Sequence, residues 1–264
     1  LPFINFFDGF RTSHEIQNVE FLDDSEWKKL VPWDKVKEFK DRALNPHGHA
    51  VTRGGAENDD IYFQGREAQN EHFNNVLPVA IKYFKKVSKL TGREYAPFVY
   101  YGAKDATKVI IAMGSINETA YEVVKDLNEK GEKVGMIRVH LYRPFSAELL
   151  VKALPRTVKE IAVLDRTKEL GSVGEGLYED VTSALNLMGK KNIKVIGGRY
   201  GLSSKDTQPK HIKAVFDFML SGTEHHNFTV GIVDDVTHLS IPVDDTYEIA
   251  HTYTSCLFYG LGSD

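Results

Sequence analysis

Ser13, His14 and Glu15 stand side by side in FFDGFRTSHE, which puts a possible nucleophile, base and orienting acid in one row. A catalytic triad is assembled in space, with the base within hydrogen-bond reach of the nucleophile and the acid behind the base. Consecutive side chains diverge on a helix or a strand, and no G-x-S-x-G elbow surrounds this serine. The geometry therefore argues against a local triad. Two glycine-bearing stretches could instead receive an anion. GSVGEG, residues 171–176, lies between an expected strand and an expected helix, where backbone N–H groups can approach a phosphate. Its spacing is not G-x-G-x-x-G, so a ligand-free strand-to-helix turn is the stronger reading. GGRYGLSSKD, residues 197–206, joins three glycines, two hydroxyls and the cations Arg199 and Lys205. That is the donor set a phosphate or pyrophosphate takes. A solvated loop whose arginine pairs with a carboxylate is the equal alternative.

Other clusters are weaker. Asp234, Asp235 and His238 in DDVTHLS follow an expected strand, where a metal or acid–base group could emerge, but a capped turn accounts for them more simply. His47 with His49, and His225 with His226, have no second cluster at zinc-like spacing and read as surface histidines. Arg138, His140 and Arg143 end an expected strand with polar groups, and are expected to tie the sheet to a neighbouring domain.

The elements that must hold these residues follow from periodicity. PFINFF is expected as a buried strand. SEWKKL and DKVKEFKDRAL are expected as short surface helices, each opening on a serine or aspartate cap. NPHGHAVTRGGAENDD is loop by composition. A helical stretch over residues 66–90 is interrupted at Pro78, which should start a new helix or kink the old one. TGREYAP then marks a boundary. From Thr107 the pattern alternates: VIIAMG, GMIRVH, EIAVLD and NIKVIGG as strands, with amphipathic helices between them. Ser115 and Glu118 form a capping box for the first of those helices. Such alternation predicts a parallel sheet covered on both faces. QPKHIKAVFDFML adds a helix and FTVGIVDD a further strand.

Composition bounds the function. The 264 residues carry a formal net charge of −4, which argues against a nucleic-acid partner. No apolar run approaches the ~20 residues a membrane span needs. Cys256 is the only cysteine, so neither an intrachain disulfide nor a four-cysteine zinc or iron–sulfur site can form, and a reducing cytosol is the simplest compartment. LPFINFF lacks the features of a signal peptide, and FYGLGSD stops in mid-pattern, so the chain reads as an excised piece of something longer.

FFDGFRTSHEIQ, TRGGAENDDIYFQGREAQN, VIIAMGS, VHLYRPFSAELL, AVLDRTKELGSVGEGLYEDV, GGRYGLSSKDTQP and TVGIVDDVTHLS follow one another in that order. Over essentially the whole chain they resemble the middle of the pyruvate:ferredoxin (flavodoxin) oxidoreductase family. The resemblance implies an α/β fold whose parallel sheet, covered by helices on both faces, is like the transketolase C-terminal domain, flanked by partial α/β domains. Residues 1–91 would be the end of a thiamin pyrimidine-type domain with its connecting helix, 92–196 the transketolase C-terminal-like domain, and 197–264 the start of a coenzyme A-associated domain. It further implies a parent enzyme that decarboxylates pyruvate oxidatively on thiamin diphosphate with Mg2+. That enzyme would yield acetyl-CoA and CO2 and pass electrons through iron–sulfur clusters to ferredoxin or flavodoxin. Within it, Arg199, Gly201, Ser203, Ser204 and Lys205 are the expected coenzyme A contacts, and Arg11 a substrate-proximal residue with a buried ion pair as its alternative. No catalytic or metal-ligating residue is expected in this stretch, which would bind no cofactor tightly, with coenzyme A its one candidate ligand. The remaining parent domains would be its partners, in a homodimer located in the cytoplasm, or in the hydrogenosome of an anaerobic protist. Leu170 and Gly176 stand where the family suggests prolines, and Val233 where it suggests a polar residue. Two other classes remain open on residues alone: a stand-alone interaction or scaffold module, and a small hydrolase built on Asp235 and His238.

Overall fold

The computed structural model describes residues 3–16, 18–50, 55–234, 236–250, and 254, 256, 259, 260 and 262. Helices α1 (Asp24–Leu30), α2 (Trp33–Asp41), α3 (Tyr62–Ala68), α4 (Asn70–Asn74) and α5 (Val76–Thr91) precede the sheet. None of them buries a residue fully. Asp23, rather than Ser25, caps α1, its carboxylate accepting the Ser25 N–H at 2.7 Å. Pro78 sits in the first turn of α5, where its missing N–H costs nothing, and so begins a helix as expected. The expected strand PFINFF has no regular structure, and Phe3, Ile4, Phe6 and Phe7 are 60–82% exposed.

After α5 come β1 (Phe98–Gly102), β2 (Lys108–Ala112), α6 (Ile116–Glu129), β3 (Val134–Val139), α7 (Ala147–Ala153), β4 (Glu160–Asp165), α8 (Gly176–Leu187) and β5 (Lys194–Arg199). A 3-10 turn at Leu202–Ser204, α9 (Pro209–Phe218) and the two-residue β6 (Phe228–Thr229) follow. The strands form one sheet in the order β1-β3-β2-β4-β5-β6. β1 runs antiparallel to β3 and every other pairing is parallel. The alternation of apolar side chains along each strand supplies both faces. Val109 and Ile111 of β2, with Ile161 and Val163 of β4, join Leu150, Leu177 and Val181 of α7 and α8. Ile110 and Ala112, with Ala162 and Leu164, join Val123, Val124, Val215 and Phe216 of α6 and α9. A period of two on a parallel sheet therefore builds a two-sided core, as the sequence pattern predicts.

Two expectations shift. The antiparallel β1 begins directly after TGREYAP, where only a boundary was expected. Residue 197, expected to open a further domain, lies inside β5, and α9 and β6 pack into the same sheet and core.

Candidate functional site

The parallel strands β2, β3, β4 and β5 end at Ala112, Val139, Asp165 and Arg199, so the loops that follow them gather at one end of the sheet. β2 and its neighbour β4 feed helices on opposite faces, α6 and α8. Their diverging loops open a crevice, the place where open α/β sheets receive ligands. Here the crevice is filled from within the chain. The Asp8 carboxylate accepts the N–H of Ser115 at the start of α6, and its Oδ1 lies 3.3 Å from Arg166 Nη1. Gly114 has φ +83°, and a side chain there would meet Asp8 Oδ2 at 2.6 Å, so glycine alone allows the approach. Ser115 consequently makes no capping bond of its own, and Glu118 turns to Arg138 at 2.9 Å; the expected capping box is absent.

Beside the crevice, Gly201, Ser203 and Ser204 all adopt left-handed backbone, with φ of 62°, 53° and 60°. Arg166 donates from Nε to the Gly201 carbonyl (2.8 Å) and from Nη2 to Ser204 Oγ (3.1 Å). Arg11 donates from Nη2 to the Ser204 carbonyl (3.0 Å), while its Nη1 pairs with Glu15 (2.9 Å) and Asp206 (3.3 Å). A cavity of about 220 Å³ lies against this loop, lined by Arg11, Ser115, Arg166, Tyr200, Lys205 and Thr207 among others. Ser203 and Lys205 are exposed, and Lys205 has no ion-pair partner among the described residues. On the other flank a groove of about 1140 Å³ runs past Phe6, Phe7, Met113, Arg138, His140 and Asp165.

Several sequence expectations are corrected here. Arg199 is buried beneath the loop rather than presented by it: Nη1 faces Glu175 at 3.4 Å and Nη2 donates to the Asn227 carbonyl at 2.7 Å. A buried guanidinium requires such partners, and the carboxylate pairing weighed from sequence prevails. Gly197 and Gly198 are strand residues that make room for rings. A side chain on the first would meet His226 at 2.9 Å, and one on the second would collide with Phe228. GSVGEG offers no free anion cradle, because Asp165 already accepts the Leu177 and Tyr178 N–H groups of α8 at 3.1 and 3.2 Å. Burial pushes the Asp165 carboxyl up to about 6, its two N–H donors opposing and the Glu175 and Asp180 charges reinforcing that rise.

Ser13 and His14 do meet, Oγ to Nδ1 at 2.7 Å, because the segment is a turn rather than helix or strand. Glu15, however, pairs with Arg11 and leaves the histidine without an orienting acid. Within this chain Arg138 pairs with Glu118 of α6 and Arg143, in the loop after β3, with Asp180 of α8. His140 contacts the Ala96 carbonyl at 3.0 Å, and burial lowers its pKa. His226 is no idle surface residue: it accepts the Gly197 N–H at 3.0 Å, donates to the Val173 carbonyl at 2.7 Å and stacks on Tyr178. His47 and His49 are exposed in a turn. Asp234 caps a turn by accepting the Val236 and Thr237 N–H groups, while Asp235 lies outside the described residues.

Comparison with known proteins places this architecture in a family. The model described as Pyruvate flavodoxin/ferredoxin oxidoreductase, thiamine diP-bdg, matches residues 1–85, and Pyruvate:ferredoxin oxidoreductase core domain II matches 106–212. The chain is 52% identical over 265 residues to pyruvate:ferredoxin oxidoreductase of Moorella thermoacetica and 51% identical over 266 to pyruvate-flavodoxin oxidoreductase of Enterobacter agglomerans. Each alignment covers 100% of this chain and 22% of the relative. The mitochondrial NADP(+) pyruvate dehydrogenase of Euglena gracilis is 45% identical, with 15% of its length covered. A solved 2-oxoglutarate:ferredoxin oxidoreductase from Magnetococcus marinus superposes with a TM-score of 0.37 at 18% identity, over 64% of this chain and 26% of that one. The chain belongs to the pyruvate:ferredoxin (flavodoxin) oxidoreductase family, and it spans 22% of the length of these first two relatives.

The residues present do not fit every group the family implies. An iron–sulfur cluster needs several thiolates, and Cys256 is alone. Among the described residues no three His, Cys, Asp or Glu side chains converge to hold a metal ion. No helix among them is long and apolar enough to cross a membrane.

Proposed function

We propose that this chain serves within a thiamin diphosphate-dependent oxidoreductase that converts pyruvate and coenzyme A to acetyl-CoA and CO2 and reduces ferredoxin or flavodoxin in the cytoplasm. Residues 1–91 would form the end of the thiamin pyrimidine-type domain and its connecting helix, and their exposed aromatic residues, Phe6, Phe7 and Phe10 among them, suit burial against further domains. In this reading the chain performs no bond chemistry. It orients domains and receives coenzyme A at the loop of Gly201, Ser203, Ser204 and Lys205, with Arg11 as a brace behind it. Arg199, being enclosed, is left out of the contacting set.

The observation that carries the loop assignment is the exposed Lys205, without an ion-pair partner among the described residues, beside two hydroxyl-bearing residues and a cavity at the carboxyl ends of the strands. Coenzyme A brings a 3′-phosphate and a pyrophosphate, and a lysine and hydroxyls are apt donors to both. Calorimetric titration of the chain with coenzyme A tests this. Affinity should fall with added salt and drop about tenfold in Lys205→Ala, the loss of one charge-assisted contact. Equal affinity in the variant removes the assignment.

A further inference from the structure

The loop that carries Lys205 is not self-supporting. Ser203 and Ser204 hold left-handed backbone in succession, a conformation that residues with a Cβ adopt only when their surroundings impose it. The imposing groups lie far off in the chain. Ser204 is gripped at its hydroxyl by Arg166 and at its carbonyl by Arg11, and Gly201 is gripped at its carbonyl by Arg166. All three Arg166 nitrogens are used: Nε on Gly201, Nη2 on Ser204 and Nη1 against Asp8. Asp8 and Arg166 are mostly enclosed, their side chains 15% and 18% exposed. In such surroundings the carboxylate is what makes the guanidinium's position tenable. Asp8 is in turn anchored by the Ser115 N–H and admitted by Gly114.

We propose that Arg166 is a positioning residue that shapes the Gly201–Lys205 loop for an anionic ligand, and that Asp8 orients it. The proposal rests on the coenzyme A reading only for the identity of the ligand. The planar fork is essential to it. A lysine would keep the charge but offers one ammonium in place of three directed N–H groups spread over Asp8, Gly201 and Ser204. The device also makes the ligand loop answer to residues 3–16, since withdrawing Asp8 leaves Arg166 without its counter-charge.

The test compares Arg166→Lys, Asp8→Asn and Lys205→Ala in the full chain, reading amide hydrogen exchange across residues 202–206 and affinity for coenzyme A. Arg166→Lys and Asp8→Asn should each speed exchange in the loop about tenfold or more while the β4 and β5 amides keep their protection. Each should also weaken coenzyme A about tenfold. The double variant should be no worse than the more damaging single one, since both act through one contact network. Lys205→Ala should weaken the ligand and leave loop exchange unchanged. Wild-type loop exchange in Arg166→Lys and Asp8→Asn overturns the proposal, as does a general loss of protection in the sheet. If coenzyme A does not bind wild type, the functional reading falls, and the exchange comparison decides the role of Arg166 by itself.

Discussion

Replacing Asp165 by asparagine tests how the crevice end of the sheet manages a buried charge. The carboxylate is 5% exposed and spans the gap from β4 to the first turn of α8 through the Leu177 and Tyr178 N–H groups. Its burial lifts the folded-state pKa from 3.8 to about 6. The native state therefore holds this proton more firmly than the unfolded chain does. The associated stability is fully present below about pH 4 and is lost as pH rises through about 6. A rise of that size corresponds to about 3 kcal/mol. The substituted amide would occupy the same space but cannot ionise, and one of the two N–H groups loses its acceptor. Urea denaturation of both proteins between about pH 4 and about pH 7 reads this contribution, together with the linked response of its neighbours Glu175 and Asp180, because titrating groups remote from Asp165 cancel in the difference. Relative to the variant, the wild type should lose about 2.4 kcal/mol across that range, most of it between the two pKa values. A difference constant within about 0.5 kcal/mol would show that Asp165 stays ionised at both ends, and that the two N–H donors outweigh burial.

Two further substitutions probe the packing beneath the site. Glu175→Leu strands the enclosed Arg199 and should cost about 3–5 kcal/mol, whereas Glu175→Leu with Arg199→Met should recover most of that loss in the same urea titration. Gly198→Ala drives a methyl group into the ring of fully buried Phe228 and should cost about 1–3 kcal/mol, read as a lower urea midpoint.

What the sequence disclosed follows from how local each signal is. The parallel strands from β2 to β5 and the helices α6, α8 and α9 were legible because a period of two and a period near 3.6 are written within a few consecutive residues. PFINFF misled because an apolar run reports a need for burial, not a strand; Phe3, Ile4, Phe6 and Phe7 run irregularly towards the sheet's crevice, where Asp8 is seated. FTVGIVDD shortened to Phe228–Thr229, which pair with Gly198 and Arg199 at the end of β5 and, at Thr229 alone, with Ser240 on the other side. The loop of Gly201–Lys205 was legible from its glycines, hydroxyls and lysine. Arg166 and Asp8 were not, since their partners lie in remote parts of the chain and no spacing links them. Two local cues do point further. The paired glycines of β5 announce a close approach, here by His226 and Phe228, and Asp165 is a carboxylate closing a strand whose middle, residues 161–164, is apolar.

The seat that Asp8 takes also has a temporal side. Arg11 and Ser204 are 193 residues apart, and contacts of that separation are met only after a large loss of chain freedom. The strands, by contrast, are joined mostly through neighbours in sequence. The sheet can therefore mature before residues 3–16 arrive, and until they do, Ser203 and Ser204 lack the grip that holds them left-handed. The Gly201–Lys205 loop is therefore expected to be the last part of this sheet to acquire its shape, and that shape is the record that two remote stretches of the chain have met.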